Sequence, residues 1–280
     1  MPKVSVLTPV YNSNLEYLKE CMDSILNQTF LDFEFIILND SPDNKELENF
    51  ILSYSDERIK YFKNEKNIGI SASRNKLIGL ASGEYLAIFD HDDISVPTRL
   101  ELEVNYLDNH PYVGVVSGWH QGIGIRNCMV KRPRDSYMIK ACLTDDCYIE
   151  HSAAMIRKNV LVDNNIFYED KYTPAEDYRL FVRLMDYTEF YNFQEPLMLY
   201  RYYKEQTSAS QNIKMHLARN LIALETRNKY PAYWQWFLRH YERTKWRIRL
   251  FGVIPFLKVK NNWVYLFELI PLFKIRFMDE

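Results

Sequence analysis

The sequence predicts an α/β protein whose mainly parallel sheet is flanked by helices. Two observations lead to this prediction. Short apolar strand patterns alternate with helix patterns of about three turns through the first part of the chain, which is typical of right-handed βαβ units. Polar or acidic residues also follow three of the strand patterns directly. Because ligands of such sheets bind beyond the carboxyl ends of the strands, the sequence also predicts where a site should lie.

The predicted elements follow one another in order. Strands are predicted at Val4–Pro9, Phe33–Asp40, Ile59–Asn64 and Tyr85–Phe89. Helices are predicted from Leu15 to Leu26, with Ser13 or Asn14 as N-cap, and at Lys45–Tyr54, Ser71–Leu80 and Thr98–Asn109, before a strand in "VGVVSG". From about Arg134 to Phe193 the alternation loosens to a helix at Glu176–Met185 and short strands in "AAMI" and "EFYNF". We expect this part to complete a cleft beside the sheet.

Composition narrows the functional classes. The formal net charge is −2, so the chain has no overall nucleic-acid signature. Its start, "MPKVSVLTPVYN", enters a strand without the apolar segment of a signal peptide, and no run approaches the roughly 18 apolar residues of a membrane span. The four cysteines lack zinc-site spacing. We therefore expect a cytoplasmic protein with reduced thiols.

The stretch "EYLAIFDHDDIS" ends a buried strand pattern in three carboxylates, Asp90, Asp92 and Asp93. Clustered carboxylates repel one another unless a cation lies between them, and oxygen ligands favour Mg²⁺ or Mn²⁺. Mg²⁺ completes its shell with water and substrate phosphates. The cluster therefore predicts a metal–diphosphate site. The alternative is a solvated acidic turn that caps the next helix.

Several motifs in order resemble the family 2 glycosyltransferases of the GT-A fold, which are inverting enzymes that use nucleotide-sugar donors. The motifs are "VSVLTPVYN", "ILNDSPD", "NIGISASRNKLIGLASGEYLAIFDHDD", "EDYRL" and "YRYYKEQTSAS". They extend over roughly Pro2 to Ser210. The resemblance implies a Rossmann-like sheet, a nucleotide-sugar partner and a divalent ion.

The resemblance also implies roles for individual residues. Asp90 would face the ribose, and Asp92 would ligate the metal that holds the diphosphate, with Asp90 beside it as the other acid of the family's Asp-x-Asp pair. The residues that would contact the base and ribose or line the donor pocket are Thr8, Pro9, Tyr11, Asp40, Asn67, Gly69 and Arg74. A UDP-sugar is the donor that we expect.

Inversion by one displacement needs a stabilised leaving group and a single general base, without a covalent nucleophile. In the family, the Asp of a Glu-Asp pair is the usual base, so we assign this role to Asp177, with Glu176 beside it as a possible acceptor or diphosphate contact. The alternative is structural, because acids in the first turn of a helix complement its dipole.

The sequence departs from the family pattern at one point. Many relatives have a His where this chain has Tyr203, in "YRYY", and Tyr is a poor metal ligand at neutral pH. Tyr203 could bind phosphate by a hydrogen bond, and Arg201 could offset the loss as a donor. His151 lies where the acceptor side should begin, although a structural role for it is the simpler interpretation.

These observations give the expected organisation. Residues 1–211 would form the GT-A domain, with a nucleotide-sugar half to about 118 and an acceptor half from about 119, and residues 212–280 a helical, basic and amphipathic tail. The tail contains two similar segments, "LFGVIPFLKVK" and "LFELIPLFKIR". Apolar residues with terminal cations fit the interface of a membrane, whereas packing on the domain or on a second subunit is the alternative.

The expected function follows from the site and the tail together. We expect a metal-dependent inverting glycosyltransferase on the inner face of the cell membrane, with a lipid-linked or surface glycan as acceptor, as in lipopolysaccharide, capsule or exopolysaccharide synthesis. A nucleotide-sugar-binding module without activity and an Asp-dependent phosphotransferase are the rivals. The second rival expects its acidic motif on the first strand, which here holds no acid.

Overall fold

The computed structural model describes residues 1–204, 206 and 212–240. It also describes the backbone of four strands within 247–274. All statements below concern these residues.

The first half of the chain alternates strand and helix, as predicted. Its strands are β1 (Val4–Val10), β2 (Phe33–Asn39), β3 (Ile59–Lys63), β4 (Tyr85–Ile88) and the short β5 (Ile94–Ser95). Its helices are α1 (Leu15–Leu26), α2 (Lys45–Leu52), α3 (Ile70–Leu80) and α4 (Arg99–Asn109). Asn14 caps α1, because its side chain accepts hydrogen bonds from the backbone N–H groups of Glu16 and Tyr17.

The second half is less regular. Its strands are β6 (Val113–Gly124), β7 (Met129–Val130), β8 (Met155–Arg157) and β9 (Glu189–Tyr202), and its helices are α5 (Ser136–Cys142), α6 (Lys158–Val162) and α7 (Glu176–Leu184). Short 3-10 turns lie at His151–Ala153 and Asp170–Tyr172. The sequence predicted strands at "AAMI" and "EFYNF", but β9 is much longer than the second of these.

One mixed sheet organises these strands. Its order is β3-β2-β1-β4-β8-β6-β9-β5, and β7 pairs with β6. The run β3-β2-β1-β4 is parallel, as predicted, and so is the pair β6-β9. However, β8 runs antiparallel to β4 and β6, and β5 runs antiparallel to β9. The prediction of a mainly parallel sheet is therefore confirmed for the first half only, because the antiparallel strands β5 and β8 make the whole sheet mixed.

Apolar residues bury both faces of the sheet. Every residue of β1 and β2 is buried. One core cluster includes Leu7, Ile36 and Leu77 from the α3 side, and the other includes Val6, Phe35 and Leu18 from the α1 side. Strands that are buried on both faces read as continuous apolar runs, which is why these strands were recognisable in the sequence.

The C-terminal part begins with two helices, α8 (Asn212–Lys229) and α9 (Pro231–His240). The prediction of a helical tail is confirmed for these residues. It is wrong for the part that follows, where β10 (Arg247–Leu250), β11 (Ile254–Lys260), β12 (Trp263–Leu266) and β13 (Ile270–Lys274) form a separate antiparallel sheet. The division at residue 211 stays a prediction.

Prolines explain why the two similar segments form strands. Pro255 lies in β11 opposite Arg249, and Pro271 lies in β13 opposite Tyr265. In both ladders the register shifts beside the proline, and a bulge is where a strand tolerates a residue without an N–H group. The interior of a helix would not tolerate it. Among the described residues, no helix is both long and apolar enough to cross a membrane.

Candidate active site

The candidate site begins where β4 ends. The backbone N–H of Asp90 donates to Ser152 Oγ at 2.9 Å. Arg99, which is fully buried, donates to the carbonyl oxygens of Ile88, Ser152 and Ala154. One guanidinium therefore fixes both chain segments that meet at Asp90.

The carboxylates that follow β4, Asp90, Asp92 and Asp93, are called the acidic corner here. Arg74 joins this acidic corner to helix α7. Its guanidinium donates to Asp90 Oδ1 at 2.9 Å and to Glu176 Oε1 at 2.6 Å. Burial favours the neutral form of Asp90, but the charge of Arg74 and the nearby His151 outweigh it and hold the pKa of this carboxyl well below its usual range. Asp90 is therefore ionised at neutral pH and paired with Arg74.

His151 lies on the other side of Asp90. Its Nδ1 is 3.9 Å from Asp90 Oδ2, which is an electrostatic contact longer than a hydrogen bond. Its Nε2 is 2.8 Å from the hydroxyl of Tyr168. His151 is only 8% exposed, which fits the structural interpretation, and its contact with an acceptor stays a prediction.

Asp92 points to the other edge of the corner. The hydroxyl of Tyr203 donates to Asp92 Oδ2 at 2.7 Å, and Arg201 Nε donates to the backbone carbonyl of Asp92 at 2.9 Å. Burial, together with the charge and hydrogen bond of Asp92, raises the pKa of Tyr203 above its usual range. The phenol therefore keeps its proton and acts as a donor.

Two residues of α1 complete this edge. Arg201 forms an ion pair with Glu20, and its guanidinium lies over the ring of Tyr17, 4.3 Å from the centroid. The ring of Tyr203 also packs against Tyr17. The end of β9 is thus held against α1 beside Asp92.

Asp93 has a structural position. Its Oδ1 accepts the backbone N–H of Arg201 at 2.9 Å, while its Oδ2 is buried without a hydrogen-bond partner. Burial and the charges of Asp92 and Asp90 raise the pKa of Asp93 well above its usual value. Asp93 therefore ties the end of β9 to the corner and is closed to a ligand.

The first turn of α7 carries the two predicted acids. Glu176 is 5% exposed, and its Oε2 has no partner. Burial raises the pKa of Glu176, Arg74 counteracts it, and Asp177 adds to the increase. Asp177 is only partly buried and interacts electrostatically with Cys147 and Tyr168. The structure therefore leaves Asp177 the more accessible carboxylate of the pair.

A cleft of about 300 Å³ lies beside the carboxyl ends of β1 and β2. Asp40 lines this cleft and is held in place by hydrogen bonds. The Asp40 carboxylate accepts hydrogen bonds from the Asn64 side chain and from the backbone N–H groups of Ile68 and Gly69. Gly69 has φ 85°, which a residue with a side chain rarely adopts. The loop that carries Asn67 is therefore fixed by Asp40.

The predicted residues in and just after β1 divide into two groups. Tyr11 is 53% exposed and lines this cleft, together with Asn67. Thr8 and Pro9 are buried in the strand, and the Thr8 hydroxyl donates to the carbonyl of Phe89 at 2.9 Å. That bond connects β1 to the start of the acidic corner, so the Thr8 side chain has a structural role and its nucleotide contact stays a prediction.

The comparisons with known proteins agree with this geometry. The sequence matches the family described as glycosyl transferase family 2 over residues 5–164. An uncharacterised glycosyltransferase of Methanocaldococcus jannaschii is 36% identical over 208 residues, which cover 71% of this chain and 71% of that protein. The chain belongs to glycosyl transferase family 2. It is therefore a glycosyltransferase.

Solved structures share the fold of this glycosyltransferase. TarS of S. aureus, in complex with UDP-GlcNAc, superposes with a TM-score of 0.65 at 21% identity and covers 81% of this chain and 67% of its own. The mannosyltransferase PcManGT of Pyrobaculum calidifontis, with GDP-Man and Mn²⁺, gives a TM-score of 0.59 at 19% identity, with 82% and 75% covered. At these identities the likeness establishes the GT-A fold.

The acidic corner of the glycosyltransferase fits a divalent ion held jointly by the protein and substrate phosphates better than an ion held by protein side chains alone. Within the part of the chain that the structure describes, no three His, Cys, Asp or Glu side chains form a group that could hold a metal. Asp90 is paired with Arg74, and Tyr203 engages one of the two oxygens of Asp92. Mg²⁺ often takes one or two carboxylates and completes its shell with substrate phosphates. The donor set therefore fits an ion that arrives with a diphosphate.

Several residues of the site could not be found from the sequence. Ser152 and Arg99 fix the backbone at Asp90, and Glu20 pairs with Arg201. Each is an ordinary residue of a helix or turn, and no motif marks it. A larger cleft of about 600 Å³ lies at the opposite end of β1 and β4 and contains none of the predicted site residues.

Proposed function

We propose that this glycosyltransferase moves a sugar from a nucleoside-diphosphate donor to a hydroxyl of a membrane-borne glycan, by one displacement that inverts the anomeric centre. One observation carries the proposal. Arg74 bridges Asp90 and Glu176, so the acids beyond β4 and the first turn of α7 lie in one corner. A donor held by the acids beyond β4 would therefore meet a base on the first turn of α7.

The donor would extend from the cleft beside Asp40 to the acidic residues beyond β4. A base and ribose would lie near Tyr11, Asp40 and Asn67, and the diphosphate near Asp92. The complexes of TarS with UDP-GlcNAc and of PcManGT with GDP-Man support a nucleotide-sugar donor. We expect a UDP-sugar. Asp90 would accept a hydrogen bond from the ribose while Arg74 holds it ionised.

The leaving diphosphate needs positive charge or hydrogen-bond donors beside it. A bound divalent ion, either Mn²⁺ or Mg²⁺, would be shared between Asp92 and the diphosphate. It would neutralise the negative charge that grows on the leaving oxygen. The presence of Mn²⁺ in the PcManGT complex supports this. Arg201 and the Tyr203 hydroxyl lie at the same edge and would donate to the departing phosphates.

Asp177 would accept the proton of the acceptor hydroxyl. Glu176 is less suited to this task because it is buried and already paired with Arg74. The structural alternative, that both acids only complement the dipole of α7, does not account for the difference in accessibility between them. With one accessible carboxylate as base, the reaction requires no covalent intermediate.

The variant Asp177→Asn tests this assignment. Loss of the base should lower the rate of sugar transfer by at least about 100-fold, while binding of UDP is unchanged. Asp186→Asn, just beyond α7 in a surface ion pair with Lys229, is the matched control and should keep full activity. A panel of UDP-glucose, UDP-GlcNAc and GDP-mannose with radiolabelled sugar supplies the readout. Full activity of Asp177→Asn would contradict the proposal.

The stereochemistry has its own measurement. NMR of the product should show that the transferred sugar has the anomeric configuration opposite to that in the donor. Retention would contradict a single displacement, whatever the effect of the Asp177 variant.

The acceptor class rests on the C-terminal sequence. Residues 239–276 contain nine Lys or Arg and two acids among many apolar residues. Such a composition fits an anionic membrane surface. A growing surface polysaccharide or lipid-linked glycan at the cytoplasmic face would be within reach of a protein bound there.

A further inference from the structure

Helix α8 has two apolar faces, and within the part of the chain that the structure describes only one of them packs against the domain. On the inner face Ile222, Ala223 and Thr226 are almost completely buried against the domain. On the outer face Ile213 is 78%, Leu217 43%, Leu221 49% and Leu224 55% exposed. At 100° per residue these four side chains fall within one arc of about 80°, opposite the buried face. They are defined here as the α8 stripe.

Isolated exposed leucines are common, but four on one stripe of a single helix are not what a solvated surface requires. A helix that faces only water on its outer side typically carries polar residues there. The α8 stripe therefore indicates a contact with something apolar.

The inner face of α8 fixes the helix to the active-site half. Glu225 accepts hydrogen bonds from Arg179 of α7 and from Tyr172. Arg219 forms an ion pair with Asp146 at 2.8 Å and also interacts electrostatically with Asp177. The helix that presents the stripe is thus packed on the helix that begins with Glu176 and Asp177.

Net charge distinguishes the two candidates for the apolar contact, which are a second copy of the chain and a lipid membrane. Residues 212–280 contain thirteen Lys or Arg and five acids, whereas residues 1–211 contain twenty-two and thirty-two. The C-terminal region is therefore strongly positive and the remainder negative. On α8 itself Arg219, Arg227 and Lys229 are paired with acids of the domain, and Lys214 is exposed beside the stripe. Anionic lipid would attract this positive region, whereas the C-terminal regions of two copies would carry charge of the same sign.

We infer that the α8 stripe is the membrane-docking surface of this protein, and that its four apolar side chains enter the headgroup boundary of an anionic bilayer. The inference rests on the proposed membrane-borne acceptor and specifies the element that reaches the membrane. Docking through α8 would hold Asp177 within about two helix diameters, roughly 20 Å, of the headgroups. A sugar acceptor anchored in lipid would then lie beside the base.

A vesicle-binding experiment on the full chain tests the inference. The double variant Leu217→Ser/Leu221→Ser removes apolar area from the stripe, and Leu31→Ser/Leu52→Ser removes two comparably exposed leucines elsewhere. Co-sedimentation would use vesicles of phosphatidylcholine with about 30% phosphatidylglycerol, whose surface is negatively charged, and vesicles of phosphatidylcholine alone. We expect the stripe variant to bind anionic vesicles at least about tenfold more weakly, while the control variant binds like the wild type.

Each outcome decides the inference. Equal binding by the wild type and the stripe variant would overturn it, and so would absence of vesicle binding by the wild type. A dimer in gel filtration that becomes monomeric in the stripe variant would also overturn it, by showing that α8 contacts a second copy. Donor hydrolysis, measured without vesicles, should be the same in all three proteins. Absence of donor hydrolysis in the wild type would contradict the proposed function, whereas the vesicle result would still decide whether the α8 stripe binds membranes.

Discussion

The two halves of the sheet hold their functional residues by different means. In the first half, Asp40 holds the loop that carries Gly69 across neighbouring parallel strands. In the second half, β9 runs beside β6 and returns to the first half at its end, where Arg201 and Tyr203 reach Asp92. The first half thus forms a cleft fixed by its own hydrogen bonds, in which we propose that the donor binds. The second half contributes groups whose positions depend on distant contacts.

Arg74 connects the acids beyond β4 to the first turn of α7, and its removal should have the largest effect. Arg74→Met leaves Asp90 and Glu176 as unpaired acids in a buried site, which should lower the free energy of unfolding by about 3–5 kcal/mol. Sugar transfer should be abolished. Thermal and urea unfolding measure the first effect. Arg74→Lys, which keeps the charge without the two-pronged geometry, should recover part of the stability and little of the activity.

If Arg74→Met unfolded at the same urea concentration as the wild type, the bridge would not hold α7 to the acids beyond β4. Arg58→Met is a suitable control, because Arg58 forms a partly exposed ion pair with Asp56 away from the site.

Glu34 should make the donor half sensitive to acid. Burial alone would raise its pKa, but hydrogen bonds from Lys60, Ser5 and Ser82 lower the pKa of Glu34 to about 2. Because the folded-state pKa is below the unfolded value, the stabilisation is present above about pH 4.5 and is lost as the pH falls towards 2. Urea unfolding between pH 7 and 2 should show a loss of up to about 3 kcal/mol. Glu34→Gln should flatten that part of the profile, and an unchanged profile would contradict it.

Glu103 should act in the opposite direction. Burial raises the pKa of Glu103 to about 7 despite its bond with Arg99. Since the folded-state pKa lies above the unfolded one, ionisation costs stability as the pH rises from about 4.5 through 7. We expect a loss on the order of 2 kcal/mol over that range, which Glu103→Gln should remove. Arg99 keeps its three carbonyl partners in both proteins. A steeper profile in the variant would show that the carboxylate stabilises the fold.

Tyr203 tests the contribution of the second half to the acidic corner. Tyr203→Phe removes the hydrogen bond to Asp92 but keeps the ring that packs on Tyr17. One such bond to a charged group contributes about 1.5–3 kcal/mol at most, and solvent at this half-buried edge reduces it. We expect kcat/KM to fall about five- to tenfold with little change in unfolding. An unchanged kcat/KM would show that Asp92 is positioned without Tyr203.

The sequence predicted the parts of the molecule that depend on local order. The first four strands, their helices and the acidic residues beyond β4 follow from apolar runs and from the rule for parallel sheets. The contacts that assemble the site do not. Arg74 and Glu176 are 102 residues apart, and Tyr203 and Asp92 are 111 residues apart. Their proximity depends on where α7 and β9 pack.

The tail shows the other limit of sequence patterns. Apolar segments with terminal cations suggested an amphipathic helix, yet β11 and β13 are strands. The same composition suits either structure, and the prolines were the signal against a helix. The stripe on α8 was not predicted, because the sequence does not show which apolar residues of a helix stay exposed until the buried face of that helix is known.

Calorimetric titration of UDP with and without Mn²⁺ tests the central claim most directly, namely that Asp92 shares a divalent ion with the donor diphosphate. The wild type should bind UDP at least about tenfold more tightly when Mn²⁺ is present, and Asp92→Asn should lose that difference, while Asp186→Asn keeps it. Equal UDP affinity with and without Mn²⁺ in the wild type, or an undiminished Mn²⁺ effect in Asp92→Asn, would contradict the account.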